Sequence, residues 1–399
     1  MLRFSYRCSR CGREYPITPD RMLCDDCSAL QTPDQPLMGV LEVVPDGEVG
    51  GDWEIPDLLP VEREWFPPIP VGNTPLWEPA RLREALQLPG LFLKDETGNP
   101  TGSLKDRASY LVSAYARREG VDRIVVASTG NAGSSMAGVG AAAGIAVRLY
   151  LPASAPPAKM VQAEQYGAEL IRVRGTYDVA YDESLDYTAR HGGLSRNTAY
   201  NPLTIEGKKT VSLEIFKQLG SLVPDYVFVP TGDGVIVSGV YKGFEDLVTL
   251  GPAERMPTVV AVQAEGSSSI ARALATGSFG VPVPSDTLAD SISVDVPRGG
   301  LFALGRLQRH GGRVVVVSDR EILTAQRELA SRCGLFAEPA AAASYAGLLR
   351  IADEVPREST VVLLITGSGL KDIDSAKRGV SLSSSAADPI STSYANGED

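Results

Sequence analysis

The chain has 399 residues, 43% hydrophobic and 22% charged, which is ample material for a buried core. Its 38 Lys and Arg against 49 Asp and Glu give a formal charge of −11 with no basic block, which argues against a nucleic-acid partner or an anionic membrane surface. The length exceeds one ordinary domain and suits two core domains plus a smaller module. No signal-peptide pattern opens the sequence and no apolar run is long enough to span a bilayer, so a cytoplasmic location is expected.

In chain order, residues 1–40 come first. Cys8, Cys11, Cys24 and Cys27 are spaced C-x2-C-x12-C-x2-C. Two such knuckles suit structural zinc, and four thiolates leave the metal no open position. A redox dithiol or a disulfide pair is the alternative, disfavoured in a reducing compartment. Cys333 lies in an apolar setting and reads as a core thiol. A connector through Pro60, Pro67, Pro68 and Pro70 reads as extended chain. From about 90 to 380, short apolar runs alternate with amphipathic stretches. Strands are expected at Leu91–Leu93, Arg123–Ala127, Val147–Leu151, Glu169–Val173, Tyr226–Val229, Thr258–Gln263, Val314–Val317 and Thr360–Leu364. Helices are expected at Lys105–Arg118, Ser134–Ala143, Ala158–Tyr166 and Asp178–Arg190. The alternation predicts an α/β fold with mostly parallel sheets. Residues 379–399, rich in Ser, Ala and Asp, are expected to be a disordered tail.

Chemistry concentrates where these strands end, which is where ligands collect in open α/β sheets. Asn99-Pro100-Thr101-Gly102-Ser103-Leu104-Lys105-Asp106-Arg107 brings a lysine to the first turn of a helix through small residues. The positive helix end favours a neutral amine, suited to a Schiff base with a carbonyl cofactor; a surface lysine at a helix start is the plainer reading. Ser128-Thr129-Gly130-Asn131 places hydroxyls and amides at a helix N-terminus, either as a carboxylate cradle or as an ordinary cap. Gly232-Asp233-Gly234-Val235-Ile236 offers consecutive backbone amides to a phosphate, or is a tight turn. Glu338-Pro339-Ala340 enters a small-residue helix that allows close packing on a cofactor-bearing layer, or is core. Thr366-Gly367-Ser368-Gly369-Leu370-Lys371-Asp372 could set a neutral hydroxyl against a heterocyclic nitrogen, or serve the turn alone. A neutral partner leaves such a nitrogen unprotonated, which suits elimination and replacement better than transamination.

Together, and in this order, these segments resemble the tryptophan-synthase-β (fold type II) family of pyridoxal-phosphate enzymes, and within it the threonine synthase-like members. The similarity runs from Val71-Gly72-Asn73-Thr74-Pro75-Leu76 to about Arg378. It implies that Lys105 would hold the cofactor and shuttle the substrate's α-proton, and that Asn131 would bond the cofactor's 3-hydroxyl. Gly232, Asp233, Gly234, Val235 and Ile236 would donate amides to its phosphate, and Thr366 would face the pyridine nitrogen. Ser128, Thr129 and Asn131 would grip the substrate carboxylate. The resemblance also implies a large cofactor-binding domain (41–90 and 205–378), a small mobile domain (91–204) and a homodimer.

Three positions depart from the pattern of the threonine synthase-like members. Ala132 stands where Thr is usual, Thr204 where an arginine holds the substrate phosphate, and Ser368 where His is frequent. Loss of a charge-assisted contact costs about 1.5–3 kcal/mol, so Arg298 or Lys159 is expected to supply the missing cation. The implied reaction is pyridoxal-phosphate-dependent elimination or replacement at Cβ or Cγ of a small amino acid with an activated side chain. Conversion of O-phosphohomoserine to threonine is the nearest named activity. Two enzymatic alternatives are β-replacement on phosphoserine or a similar substrate (cysteate-synthase-like or diaminopropionate-type), and threonine or serine dehydration. A cofactor-binding regulator without catalysis is the third.

Overall fold

The computed structural model describes residues 2–155 and 157–384, without the side chains of 157–159 and 381–384. All eight expected strands form. Five of the six in the larger sheet run parallel, in the order Arg313–Val317, Thr258–Ala264, Tyr226–Pro230, Val361–Ile365 and Leu91–Asp95. The short strand Leu76–Trp77 closes the edge antiparallel to Leu91–Asp95. A second, four-stranded parallel sheet has the order Glu169–Val173, Ala146–Pro152, Arg123–Ala127 and Leu194–Ser195.

The larger sheet is buried on two faces, which is why its central strands read as continuous apolar runs rather than as alternating ones. Phe228, Val260, Val262, Leu363 and Ile365 point into one core of the larger sheet. Their neighbours Val227, Val229, Val259, Ala261, Val362 and Leu364 point into the other. The smaller sheet divides likewise, with Ile124 and Val126 on one side and Val125 and Ala127 on the other. Between the sheets runs the helix Leu203–Gln218, buried through residue 216 although it carries Glu206, Lys208, Lys209 and Glu214. Such charges are tolerated inside only when paired. Lys209 pairs with Glu206 and with Asp246, the latter at 2.7 Å.

The N-terminal module is a three-stranded antiparallel sheet, Glu14–Tyr15, Arg3–Cys8 and Leu41–Asp46. Its third strand therefore begins where the module was expected to end, at residue 40. We propose that the large and small domains follow the two larger sheets. On that division Leu91–Asp95 goes with the large domain, because its backbone partner is Val361–Ile365. At the other end, the helix Ile373–Ser384 continues into the segment expected to be tail, and residues 385–399 lie outside the described ones. Among the described residues, no helix is long and apolar enough to cross a membrane.

Candidate active site

Lys105 is the first residue of the helix Lys105–Arg118, and the residues around it explain its placement. The Asp106 carboxylate accepts from Thr101 N at 2.7 Å and from the Thr101 hydroxyl, which folds the approach loop back on the helix. Arg107 pairs with Glu96 at 2.6 Å and with Glu214 at 2.7 Å, pinning the first turn to the short turn Glu96–Gly98 after the strand Leu91–Asp95 and to the helix Leu203–Gln218. Leu104 N donates to Thr366 O at 2.9 Å and Ser368 N to Gly102 O at 3.0 Å, so the lysine loop lies along 366–368. Burial pulls the Lys105 amine below the ordinary lysine range, against the opposing pull of Asp233 and Glu338. Among the described residues its Nζ has no hydrogen-bond partner.

Two helix starts carry unpaired backbone donors. At the start of the helix Val235–Thr249, the N–H groups of Gly232, Asp233, Gly234 and Ile236 find no acceptor among the described residues, while Val235 N donates to its neighbour Asp233 Oδ1 at 3.0 Å. The loop requires glycine twice. Gly234 has φ +85°, and a Cβ on Gly232 would lie 2.8 Å from Ile292 Cα. At the start of Asn131–Ala143, the N–H groups of Thr129, Asn131 and Ala132 are likewise free, and Ser128 Oγ accepts from Gly130 N at 3.2 Å to shape the turn. Each set is an anion cradle at a positive helix end.

The other expected residues divide into those brought together and those not. Thr366 is buried beside the lysine loop, and its hydroxyl has no hydrogen-bond partner among the described residues. Asn131 Nδ2 donates to both Glu338 oxygens, at 2.9 and 3.0 Å, and to Ser291 Oγ at 3.2 Å. Burial raises the Glu338 carboxyl, with the Asn131 bonds opposing. Arg298 is already neutralised, ion-paired with Asp178 and stacked 4.6 Å from the Tyr181 ring centroid. The Lys159 side chain lies outside the described residues. Thr204 turns its hydroxyl back to Asn201 O at 2.7 Å.

Three cations to which motif reading assigned no role stand near these groups. Arg196 is fully buried and makes no ion pair among the described residues. Its Nε donates to Ser109 Oγ at 3.3 Å, Nη2 reaches Lys105 O at 3.5 Å, and Nη1 has no partner. Burial pulls this guanidinium down to about 10, Tyr177 and Asp233 opposing, so it stays charged at neutral pH. Lys208, also buried, donates to Thr204 O at 3.0 Å, and burial pushes it well below the usual lysine range. Lys371 donates to Thr101 O (2.9 Å), Ser134 Oγ (3.1 Å) and Gln162 Oε1 (2.7 Å), and lines a cavity of about 580 Å³ with Asn99, Asn131 and Glu338. No local motif marks Arg196 or Lys208; Glu338 and Lys371 lie inside the segments read from sequence.

Residues 69–367 match the family described as "Pyridoxal-phosphate dependent enzyme". The chain belongs to that family. Threonine synthase of Methanosarcina acetivorans is 34% identical over 388 residues, 92% of each chain. That of Methanocaldococcus jannaschii is 33% identical over 393 residues, 93% of this chain and 94% of its own. Among solved structures, threonine deaminase isoform 2 from Solanum lycopersicum superposes with TM-score 0.70 at 21% identity, covering 84% of this chain and 96% of that one. Maize serine racemase gives 0.67 at 22%, covering 79% and 93%. These two likenesses establish the fold. The protein is thus a threonine synthase-like, pyridoxal-phosphate-dependent lyase of fold type II.

The site fits the cofactor of this family. A partnerless amine, a cradle of free N–H groups with no room for a Cβ, and an unengaged hydroxyl form a donor set for an aldehyde, a phosphate and a ring nitrogen. The N-terminal module likewise fits a metal. The sulfurs of Cys8, Cys11, Cys24 and Cys27 all lie within 4.8 Å of one another, and none of these cysteines is in a disulfide. Cys11 Sγ is 3.7 Å from Cys24 Sγ, the separation expected for two thiolates on a tetrahedral zinc at about 2.3 Å each.

Proposed function

We propose that the protein converts a phosphate-bearing amino acid by elimination and replacement, with O-phospho-L-homoserine to threonine as the nearest named reaction. The carrying observation is Arg196, a fully buried guanidinium bonded to Lys105 O that has, among the described residues, no carboxylate partner and no partner for Nη1. A buried charge in this state calls for an anion. Arg196 stands in for the arginine absent at Thr204, a role that Arg298, already paired with Asp178, does not fill. The threonine synthases matched over more than nine-tenths of the chain support the same substrate class.

Lys105 would hold the cofactor through its aldehyde and would carry the substrate's α-proton, and burial, which lowers its pKa, favours the neutral amine that both roles need. The amides of Gly232, Asp233, Gly234 and Ile236 would hold the cofactor phosphate, with Val235 closing the turn through Asp233. Thr366 would offer a neutral hydroxyl to the ring nitrogen. Asn131, aligned by Glu338, would bond the ring oxygen. Thr129, Asn131 and Ala132 hold the substrate carboxylate with backbone N–H groups, a grip that Ala132 leaves intact because its amide donates. The bound cofactor supplies an electron sink for the carbon from which the proton is removed. Four thiolates hold a structural zinc, and the enzyme works in the cytoplasm.

The test is product analysis. Incubated with O-phospho-L-homoserine, the cofactor-loaded enzyme releases phosphate and threonine in equal amounts. Turnover confined to unphosphorylated serine or threonine, with release of ammonia, would contradict the reading and favour a dehydratase.

A further inference from the structure

Residues 37–40 are held by the four-cysteine cage on one side and by the anion cradle on the other. On the cage side, Cys24 N donates to Gly39 O at 2.9 Å, and Ser9 donates to Val40 O through both N (3.0 Å) and Oγ (2.8 Å). Leu23 and Val40 form an isolated β-bridge. Gly39, at φ +75°, lies flat against the second knuckle, where a Cβ would come within 2.9 Å of Ser28 N and 3.0 Å of Cys24 O. On the cradle side, Leu37 and Val40 are buried in one apolar cluster with Val235, Ile205, Ala199 and Phe302. Leu37 N donates to Arg298 O at 3.0 Å, and the next residue, Gly299, donates to Asp233 O at 2.8 Å. Just beyond, Glu42 is locked to Arg306 of the helix Gly300–Arg309 by a buried ion pair at 2.6 Å.

We infer that the cysteine module is a positioning element for the cofactor, with Leu37 and Val40 as the residues that transmit its state to Asp233–Val235. The inference rests on the readings that Gly232–Ile236 hold the cofactor phosphate and that the four cysteines hold zinc. A small module that depends on metal for its fold cannot hold a strap in place once the metal is gone. A close-packed strap that relaxes on one side also loosens what it supports on the other. With zinc bound, 37–40 press on Val235 and, through Arg298–Gly299, on Asp233, keeping the free N–H groups convergent. Such coupling is reciprocal: whatever factor zinc adds to cofactor affinity, the cofactor adds to zinc affinity.

The experiment uses the full chain. Pyridoxal phosphate is titrated into zinc-loaded and zinc-stripped protein under reducing conditions, following the visible absorption band of the bound cofactor. Cofactor affinity is expected to fall about 5- to 150-fold without zinc, the usual range for coupled sites. Leu37→Ala, which keeps all four cysteines, is expected to weaken cofactor binding with zinc still bound, and so decides the matter should the stripped chain unfold. Leu30→Ala, on the exposed side of the module, is expected to change nothing. In the reverse direction, bound cofactor is expected to slow zinc transfer to a chromophoric chelator, which a purely structural role for Leu37 would not require. Equal cofactor affinity with and without zinc, or an unaltered Leu37→Ala, overturns the coupling while leaving the cradle reading intact. A wild-type chain that never gains the visible band overturns the cradle reading, and the coupling with it.

Discussion

Lys105, partly buried, and Arg196, fully buried, are neighbouring basic groups, yet their chemistry differs. The lysine can shed its proton, and burial favours that. The guanidinium, held near 10, cannot do so at neutral pH and must find an anion instead. Replacing Lys105 with Ala is therefore expected to abolish the visible band of bound cofactor and to cut turnover by at least roughly 10²–10⁴-fold, the usual contribution of a placed proton carrier. A variant that keeps both the band and its turnover would remove Lys105 from that role. Lys105 was legible in the sequence because small residues before it and Asp106-Arg107 after it are local signals. Arg196 was not. Its significance comes from burial and from the lack of a carboxylate partner, both set by chain segments far away in sequence. Arg298, a candidate from sequence for the missing cation, is paired with Asp178 of the helix Tyr177–His191, a contact that no local pattern encodes.

Among the elements, strands built of β-branched runs were readable, and all eight formed within a residue or two of their expected limits. The helix Leu203–Gln218 was not, because its buried face carries lysines and glutamates that are inside only by virtue of partners elsewhere. One of those partners has a measurable consequence. Burial alone would raise the Glu214 carboxyl, but Arg107 and Lys94 outweigh it and hold it down at about 2. A group whose pKa is depressed on folding stabilises fully above its unfolded value and loses that contribution as pH falls through the folded one. Denaturant midpoints should accordingly drop as pH is lowered from 4.5 towards 2. Glu214→Gln is expected to be less stable at neutral pH, because Arg107 and Lys94 lose their counter-charge, and to show a flatter acid limb. An acid limb as steep as that of the wild type would assign the effect to other carboxylates.

For the molecule as a whole, the α/β class followed from strand–helix alternation, whereas the boundaries between units did not. Whether Leu91–Asp95 joins the larger or the smaller sheet is decided by pairing with Val361–Ile365, some 270 residues further on, and no local pattern encodes that. The N-terminal sheet likewise takes in Leu41–Asp46, which the cysteine spacing does not reach. The result is a candidate site assembled from strand ends of both sheets, with the cysteine module packed through Leu37 and Val40 against Val235. On the proposed function, this site recognises a substrate phosphate through Arg196. The most direct test compares wild type with Arg196→Ala, reading ligand binding from the cofactor's visible spectrum. For O-phospho-L-homoserine, kcat/KM is predicted to fall roughly 10- to 100-fold, mainly through KM, as expected for losing one charge-assisted contact. The titration midpoint for L-serine, which has no phosphate, is predicted to stay the same. An equal loss for both ligands, or no loss for the phosphorylated one, would contradict the account.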